Sequence, residues 1–336
     1  MSAKAVGTGS GEQRPSGATV AVLKGGRSLE RQVSLRSGAR VEDALQRLGH
    51  DVVPVDVGAD LVDRLRDVAP DVAFVALHGR GGEDGTVQEL LELIGVPYTA
   101  SGPSACSRCM DKVVAKHELR GAGLPTPDFY AFSQAAFEEL GAARALPALE
   151  ERLAFPIVVK PAAQGSALGI KFARTAADVP GAIVAAFSYD TKVLLERHVE
   201  GRDLAVSVID GPDGPEALPV VEAIPQDDFY DFEARYEIGR TDFVCPADLG
   251  EEHTARARAL AVGVYRLLGF YGFGRVDLML DDETGELQVL EANAIPGLTE
   301  TSLLPQAAEA AGIDFDSLVA RILELAFERG KPAATV

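Results

Sequence analysis

Tryptophan is missing from all 336 residues, and cysteine and methionine occur only three times each. Three cysteines are too few and too irregular for a disulfide framework. Cys106 and Cys109 form a C-x-x-C, yet no second pair follows and Cys245 is remote, so neither zinc nor thioredoxin-like chemistry is expected there. A reduced, cytoplasmic chain is the simplest reading. Basic residues are also scarce: 32 Lys and Arg face 51 Asp and Glu, a net charge of −19. That balance argues against nucleic acid as a partner, because binding there depends on Lys and Arg neutralising phosphates. Small anions need only a local basic cluster and remain open. No apolar run approaches the ~20 residues of a membrane helix, so no membrane partner is expected. The opening MSAKAVGTGSGEQRPSGA lacks the apolar centre of a signal peptide, and residues 1–18 and 331–336 are expected to be tails.

The remainder has the composition of a soluble globular protein, 47% hydrophobic and 25% charged, and its length suggests two or three units. Its centre of organisation is residues 271–302, where FGRVDLML and ELQVLEAN bracket the turn signal DDETG and predict an antiparallel hairpin. With the turn centred on Thr284, Asp277 faces Glu291 and Arg275 faces Asn293. Val276, Leu278, Leu280, Leu290 and Ala292 fill the opposite face. Like charges directly across a ladder repel, and a cation between them reverses the sign. Carboxylate and amide oxygens suit Mg²⁺, which keeps waters and bridges to substrate phosphates. A solvated face carrying ordinary surface charges is the competing reading.

From Thr19 onward the pattern alternates: strand TVAVL, helix 30–48, strand VVPVDV, helix 60–68, strand VAFVAL, helix 84–94. Such alternation implies a parallel sheet covered on both faces, with ligands beyond the carboxyl ends of its strands. The loops carrying Gly25, Gly26, Ser28 and Glu30, and His78 to Gly82, should open onto one crevice. The first is not G-x-G-x-x-G, which weakens a dinucleotide reading. A second unit begins near Met110 with a helix stopped at Gly121 to Gly123. A helical stretch over 133–153, strand PIVVKP, loop AAQGSALG, strand IKFA, a helix and strand KVLLERHV follow. Lys160 ends a strand and Gly165, Ser166 and Gly169 come next, chemically like a phosphate-cradling loop but without Walker A spacing. A plain turn beside a lysine is the alternative. After DLAVSVID and EALPVVEAIP, the aromatic residues of 226–245 suggest a packed functional cover rather than an element, ahead of helices at 252–268, 303–311 and 314–329.

Read in order, GGRSLERQVSL, ALHGRGGEDGTVQ, YTASG with MDK, VVKPAAQGSALG, FYDFEARY, FVCPA, GRVDLML, LEANAIPGLT and SLLP resemble the D-alanine:D-alanine ligase family of the ATP-grasp superfamily. The resemblance spans Thr19 to about Arg329. It implies an α/β three-domain ATP-grasp fold: an N-terminal parallel α/β domain over 19–109, then α+β units over 110–202 and 203–330 that clasp ATP. The implied reaction phosphorylates one D-alanine from ATP, and the amine of a second attacks the acyl phosphate, supplying peptidoglycan precursors in the cytoplasm. The resemblance also implies two Mg²⁺ ions, replaceable by Mn²⁺, on Asp277, Glu291 and Asn293, and a homodimer.

Carried over residue by residue, Lys112, Lys160, Gly165, Ser166, Glu196, Arg197, Val199, Asp203 and Arg235 match nucleotide contacts. Arg275 and the Gly297 N–H match oxyanion stabilisers. Glu30, with His78 nearby, matches the group that takes the first ammonium; Ser302 and the Leu303 N–H match the second carboxylate's site. Glu30, Ser166 and Tyr236 match a trio closing the site against water. Departures fall at Arg235 for Lys, Asp203 for Glu, Ala167 for Ser, and Ala294 and Ile295 before Pro296. They bear on nucleotide affinity and loop closure more than on reaction type. An ATP-grasp ligase using D-lactate or another D-amino acid second is the nearest rival; Tyr236, where depsipeptide-forming relatives of one group carry His, leans toward the dipeptide. A nucleotide-binding protein without turnover and a nicotinamide dehydrogenase are more distant alternatives.

Overall fold

The protein is described by a computed structural model over residues 17–225 and 241–330. Three short apolar segments, β1 (Thr19–Lys24), β2 (Asp51–Asp56) and β3 (Val72–Val75), form a parallel sheet in the order β2-β1-β3. Helices α1 (Arg31–Arg47), α2 (Leu61–Val68) and α3 (Thr86–Ile94) connect or follow them. The helical period of α1 sends Val33, Val41, Ala44 and Leu45 into the core, as its sequence pattern predicts. The periodicity did not reveal α4 (Pro103–Met110), which starts on Pro103 with its fixed φ and buries Cys106 and Cys109. Burial pushes the Cys106 thiol up to about 12 and Cys109 well above its ordinary value, so both behave as apolar side chains.

The next unit opens with α5 (Lys112–Gly121), capped by the Asp111 carboxylate, which accepts from the N–H groups of Val113 and Val114. Its sheet comprises β4 (Phe129–Ser133), β5 (Ile157–Pro161), β6 (Lys171–Ala173) and β7 (Lys192–Arg197), antiparallel in the order β4-β7-β5-β6. The single helical stretch expected over 133–153 is instead broken. Ser133 ends β4 and caps α6 (Gln134–Glu139), Gly141 turns left-handed at φ 67°, a 3-10 turn spans Ala142–Ala145, and Pro147 starts α7 (Pro147–Leu153). Helix α8 (Val179–Phe187) covers this sheet, which has its own core around Leu149, Ile157, Val159, Ile183 and Val193.

The last sheet is assembled from β8 (Gly201–Gly211), β9 (Gly214–Ala217), β10 (Val221–Pro225), β11 (Thr241–Val244), β12 (Phe273–Asp281) and β13 (Leu287–Asn293), in the order β11-β10-β8-β12-β13 with β9 on β8. The stretch read as a cover without elements therefore ends in a strand, β11, because Thr241–Val244 pairs with Val221–Pro225. Helices α9 (Gly250–Leu268), α10 (Leu303–Ala310) and α11 (Phe315–Arg329) complete the chain. The parallel sheet and this six-stranded sheet share one continuous core, while the four-stranded sheet stands on its separate one.

Candidate active site

The β12–β13 hairpin pairs Arg275 with Asn293 and Asp277 with Glu291, the register expected from its turn. Beyond Asp277 the register slips by one, so Leu278 faces Val289. This corrects the placement of Leu290 on the oily face: the extra residue of the bulge turns it toward a large cavity, and Val289 enters the core instead. A bulge keeps the carboxylates opposed while re-aiming the strand beside them.

Each carboxylate already carries a cationic partner. Arg275 grips Asp277 in a fork, Nε to Oδ1 at 2.6 Å and Nη2 to Oδ2 at 2.8 Å, with both side chains buried. Lys112 lies 3.3 Å from Glu291 and donates to the Gln164 carbonyl at 2.7 Å, tying the hairpin to the glycine-bearing loop. In that loop Ser166 and Ala167 themselves adopt left-handed φ values of 53° and 57°, a conformation expected of glycines. The strained turn puts the Ser166 hydroxyl onto Glu30.

Two cavities meet at Glu291. The smaller, about 70 Å³, is lined by Glu30, His78, Lys112, Gly165 and Ser166 on one side. Arg275, Glu291, Asn293, Gly297, Ser302 and Leu303 line it on the other. The larger, about 1000 Å³, is bounded by Lys160, Glu196, Arg197, Val199 and Asp203, with Asp277 and Glu291 at its floor. Its size is that of a cofactor or nucleotide site. Gly165 and Ser166, expected at the nucleotide, border the smaller cavity, with Lys112 and Glu291 shared by both. Arg235 and Tyr236 lie outside the described residues.

Glu30 is 3% exposed. Its Oε1 accepts from Ser166, while Oε2 has no hydrogen-bond partner among the described residues. Burial, reinforced by the charge of Glu83, raises its pKa to about 7 against the opposing Ser166 bond and the charges of His78 and Lys112. A Cβ on Gly79 would lie 2.5 Å from Oε2 and one on Gly165 2.8 Å, so both glycines are needed for this close approach. An unsatisfied buried carboxylate oxygen beside a small cavity suits a cationic group.

His78 is held between Glu83, 3.0 Å from Nδ1, and Ser37 Oγ, 3.0 Å from Nε2. The Glu83 carboxylate accepts from Nδ1–H, and the Ser37 oxygen that meets Nε2 also accepts from the Leu298 N–H at 3.2 Å. This chain joins α1, the loop after β3 and the loop after β13. At the far end, Ser302 Oγ accepts from Thr299 N–H at 3.0 Å, and a Cβ on Gly297 would sit 2.7 Å from that oxygen. Ser302 also starts α10, so the free N–H groups of its first turn offer an anion site beside the small cavity.

Sequence reasoning missed three members of this assembly. Ser37 lies on the buried face of α1 and Glu83 within the glycine loop after β3, and neither carries a sequence signal of its own. Lys116 follows Lys112 by one helical turn, the spacing that puts both on one face, and pairs with Glu196 at 2.8 Å.

Family models described as D-ala D-ala ligase C-terminus and D-ala D-ala ligase N-terminus match residues 119–324 and 60–101. The D-alanine–D-alanine ligase of Moorella thermoacetica is 42% identical over 309 residues, 92% of this chain and 99% of that protein. That of Alcanivorax borkumensis is 45% identical over 312 residues, 93% of this chain and 95% of its own. Among solved structures, a D-alanine–D-alanine ligase from Bacillus anthracis superposes with a TM-score of 0.79 at 32% identity, covering 93% of this chain and 98% of that one. The same protein complexed with ATP superposes with a TM-score of 0.78 at 31% identity over the same shares of each chain.

Proposed function

The chain belongs to the D-alanine–D-alanine ligase family, with the ATP-grasp fold, and on that premise we infer that it joins two D-alanines at the expense of ATP in peptidoglycan precursor synthesis. The observation that carries the residue assignments is the meeting of a nucleotide-sized cavity and a small one across Glu291. Asp277, Glu291 and Asn293 are proposed to hold Mg²⁺. Their donor set is all oxygen, and the Asn293 Oδ1, which accepts from Ile295 N–H, retains a second lone pair. Among the described residues no three His, Cys, Asp or Glu side chains cluster into a ready cage. When bound, the metal supplies neutralisation of the transferring phosphoryl group.

The chain's own groups then divide the work. Lys160 and Lys112 take phosphate oxygens, with Gly165, Ser166 and Arg235 toward the phosphates, and Glu196, Arg197, Val199 and Asp203 hold the base and ribose. Glu30 takes the ammonium of the first D-alanine on its unpartnered Oε2, with His78 behind it. The Arg275 guanidinium and the Gly297 N–H stabilise the oxyanion formed as the second amine attacks the acyl phosphate. Ser302 and the Leu303 N–H hold the carboxylate of that second D-alanine. Tyr236 is assigned, with Glu30 and Ser166, to closure against water, which protects the acyl phosphate from hydrolysis.

Units over 19–109, 110–202 and 203–330 are proposed, with the separate core of the four-stranded sheet supporting the middle one. No helix of the described residues is long and apolar enough to cross a membrane. A cytoplasmic homodimer is proposed from family membership. Incubation with ATP, Mg²⁺, D-alanine and D-lactate is expected to give D-alanyl-D-alanine as the main product at neutral pH. Predominant depsipeptide would replace the second substrate, and phosphate release indifferent to D-alanine would refute the ligase.

A further inference from the structure

Behind the floor of the large cavity lies a lysine with no role in the scheme above. Lys116 is 1% exposed, and its Nζ sits 2.8 Å from Oε2 of Glu196. Lys160 pairs with Oε1 of the same carboxylate, so two ammonium groups share one buried anion. Their other ties differ. Lys116 donates to Thr126 Oγ1 at 2.6 Å and reaches the Val289 carbonyl at 3.4 Å, so its contact with Oε2 is a charge contact, not an aligned hydrogen bond. Lys160 borders the cavity and has open space to turn into. One lysine is anchored and the other is free to move.

We propose that Lys116 is a positioning residue, a standing counter-ion that keeps Glu196 ionised and paired when Lys160 leaves it for the phosphates of the nucleotide. The proposal rests on the assignment of Lys160 as a phosphate contact. Glu196 is 2% exposed, and a carboxylate left without any cationic partner at such a site is strongly unfavourable. With Lys116 in place, Lys160 moves from one anion to another and the anion left behind remains matched. Burial would raise the Glu196 carboxyl, and the charges of Lys116 and then Lys160 outweigh it and hold it below its ordinary value. Val289, the carbonyl that Lys116 reaches, abuts the bulge before Glu291, so the same side chain braces the metal-bearing strand.

The test is calorimetric titration of the full chain with ADP and with adenosine, read as the ratio of the two affinities. Lys116→Met should lower that ratio at least tenfold, because Glu196 then retains Lys160. Combining Lys116→Met with Glu196→Gln should restore the ratio to within twofold of Glu196→Gln alone, and this comparison stands even where the single variant does not fold. A ratio unchanged by Lys116→Met, or a further fall on adding it to Glu196→Gln, overturns the proposal. Lys160→Met separates the premise: an unchanged ratio there overturns the phosphate assignment and the proposal with it. A lowered ratio in Lys160→Met beside an unchanged one in Lys116→Met overturns the counter-ion role alone.

Discussion

Burial lifts the Glu30 carboxyl from 4.5 to about 7, and two consequences of opposite sense follow. Without substrate, the protonated form is favoured in the folded state, so the stability it contributes is complete below pH 4.5 and is lost as pH rises through about 7. Thermal melts of Glu30→Gln should lack this loss, and the variant should gain on the wild type between pH 5 and 8. Binding runs the other way, since an ammonium substrate needs the carboxylate. KM for D-alanine should fall as pH rises through about 7, and Glu30→Gln should raise it at least about thirtyfold, the equivalent of ~2 kcal/mol. Steady-state kinetics across pH would show both. Glu291→Gln should lower kcat by at least about a hundredfold with no large shift in Tm, measured by product formation and melting; a normal kcat would remove the metal assignment. The opposed carboxylates Asp277 and Glu291 were legible because like charges across a ladder conflict with local expectation, and Glu30 was legible only through the family resemblance. Lys116 and Glu83 were not, because a charged residue on a helix or in a loop looks solvated until its neighbours in space are known.

Among the elements, the hairpin was readable in register and misread in one detail. Turn chemistry fixes pairing near the loop ends, but nothing in LQVLEAN marks where a ladder takes an extra residue, so Leu290 was assigned by parity alone. The bulge makes a distinguishing prediction. Val289→Ala, at 0% exposure, should destabilise by about 2 kcal/mol with little effect on ATP affinity. Leu290→Ala should cost less stability and raise KM for ATP several-fold; denaturant melts with kinetics decide, and the reverse pattern would restore simple alternation. The same limit applies to the 133–153 stretch, whose apolar spacing suits a helix although Gly141 and Pro147 divide it. Ser37 shows how a small polar residue on a buried helix face can serve an active-site loop. Ser37→Ala should lower kcat about tenfold, through loss of the Leu298 N–H and His78 bonds, while the fold persists.

For the whole molecule, the arrangement of cores carries the functional meaning. Periodicity identifies strands and helices but not which sheets share an interior, and here the first and last share one while the four-stranded sheet keeps its own. On the proposed nucleotide site, a separately cored unit bearing Lys160, Ser166 and Glu196 is free to move against the hairpin without disturbing either interior. ATP should therefore raise the melting temperature as a ligand of the folded state alone, by ~2.7 kcal/mol of added stability at a concentration near a hundred times its Kd. The chemistry itself is tested most directly with D-alanine carrying ¹⁸O at both carboxylate oxygens. Attack of that carboxylate on ATP, followed by amine attack on carbon, leaves one labelled oxygen in the inorganic phosphate for each dipeptide made. Transfer of one ¹⁸O per turnover, seen by mass spectrometry of the phosphate, is the expected result, and phosphate free of label alongside normal dipeptide formation would contradict an acyl phosphate.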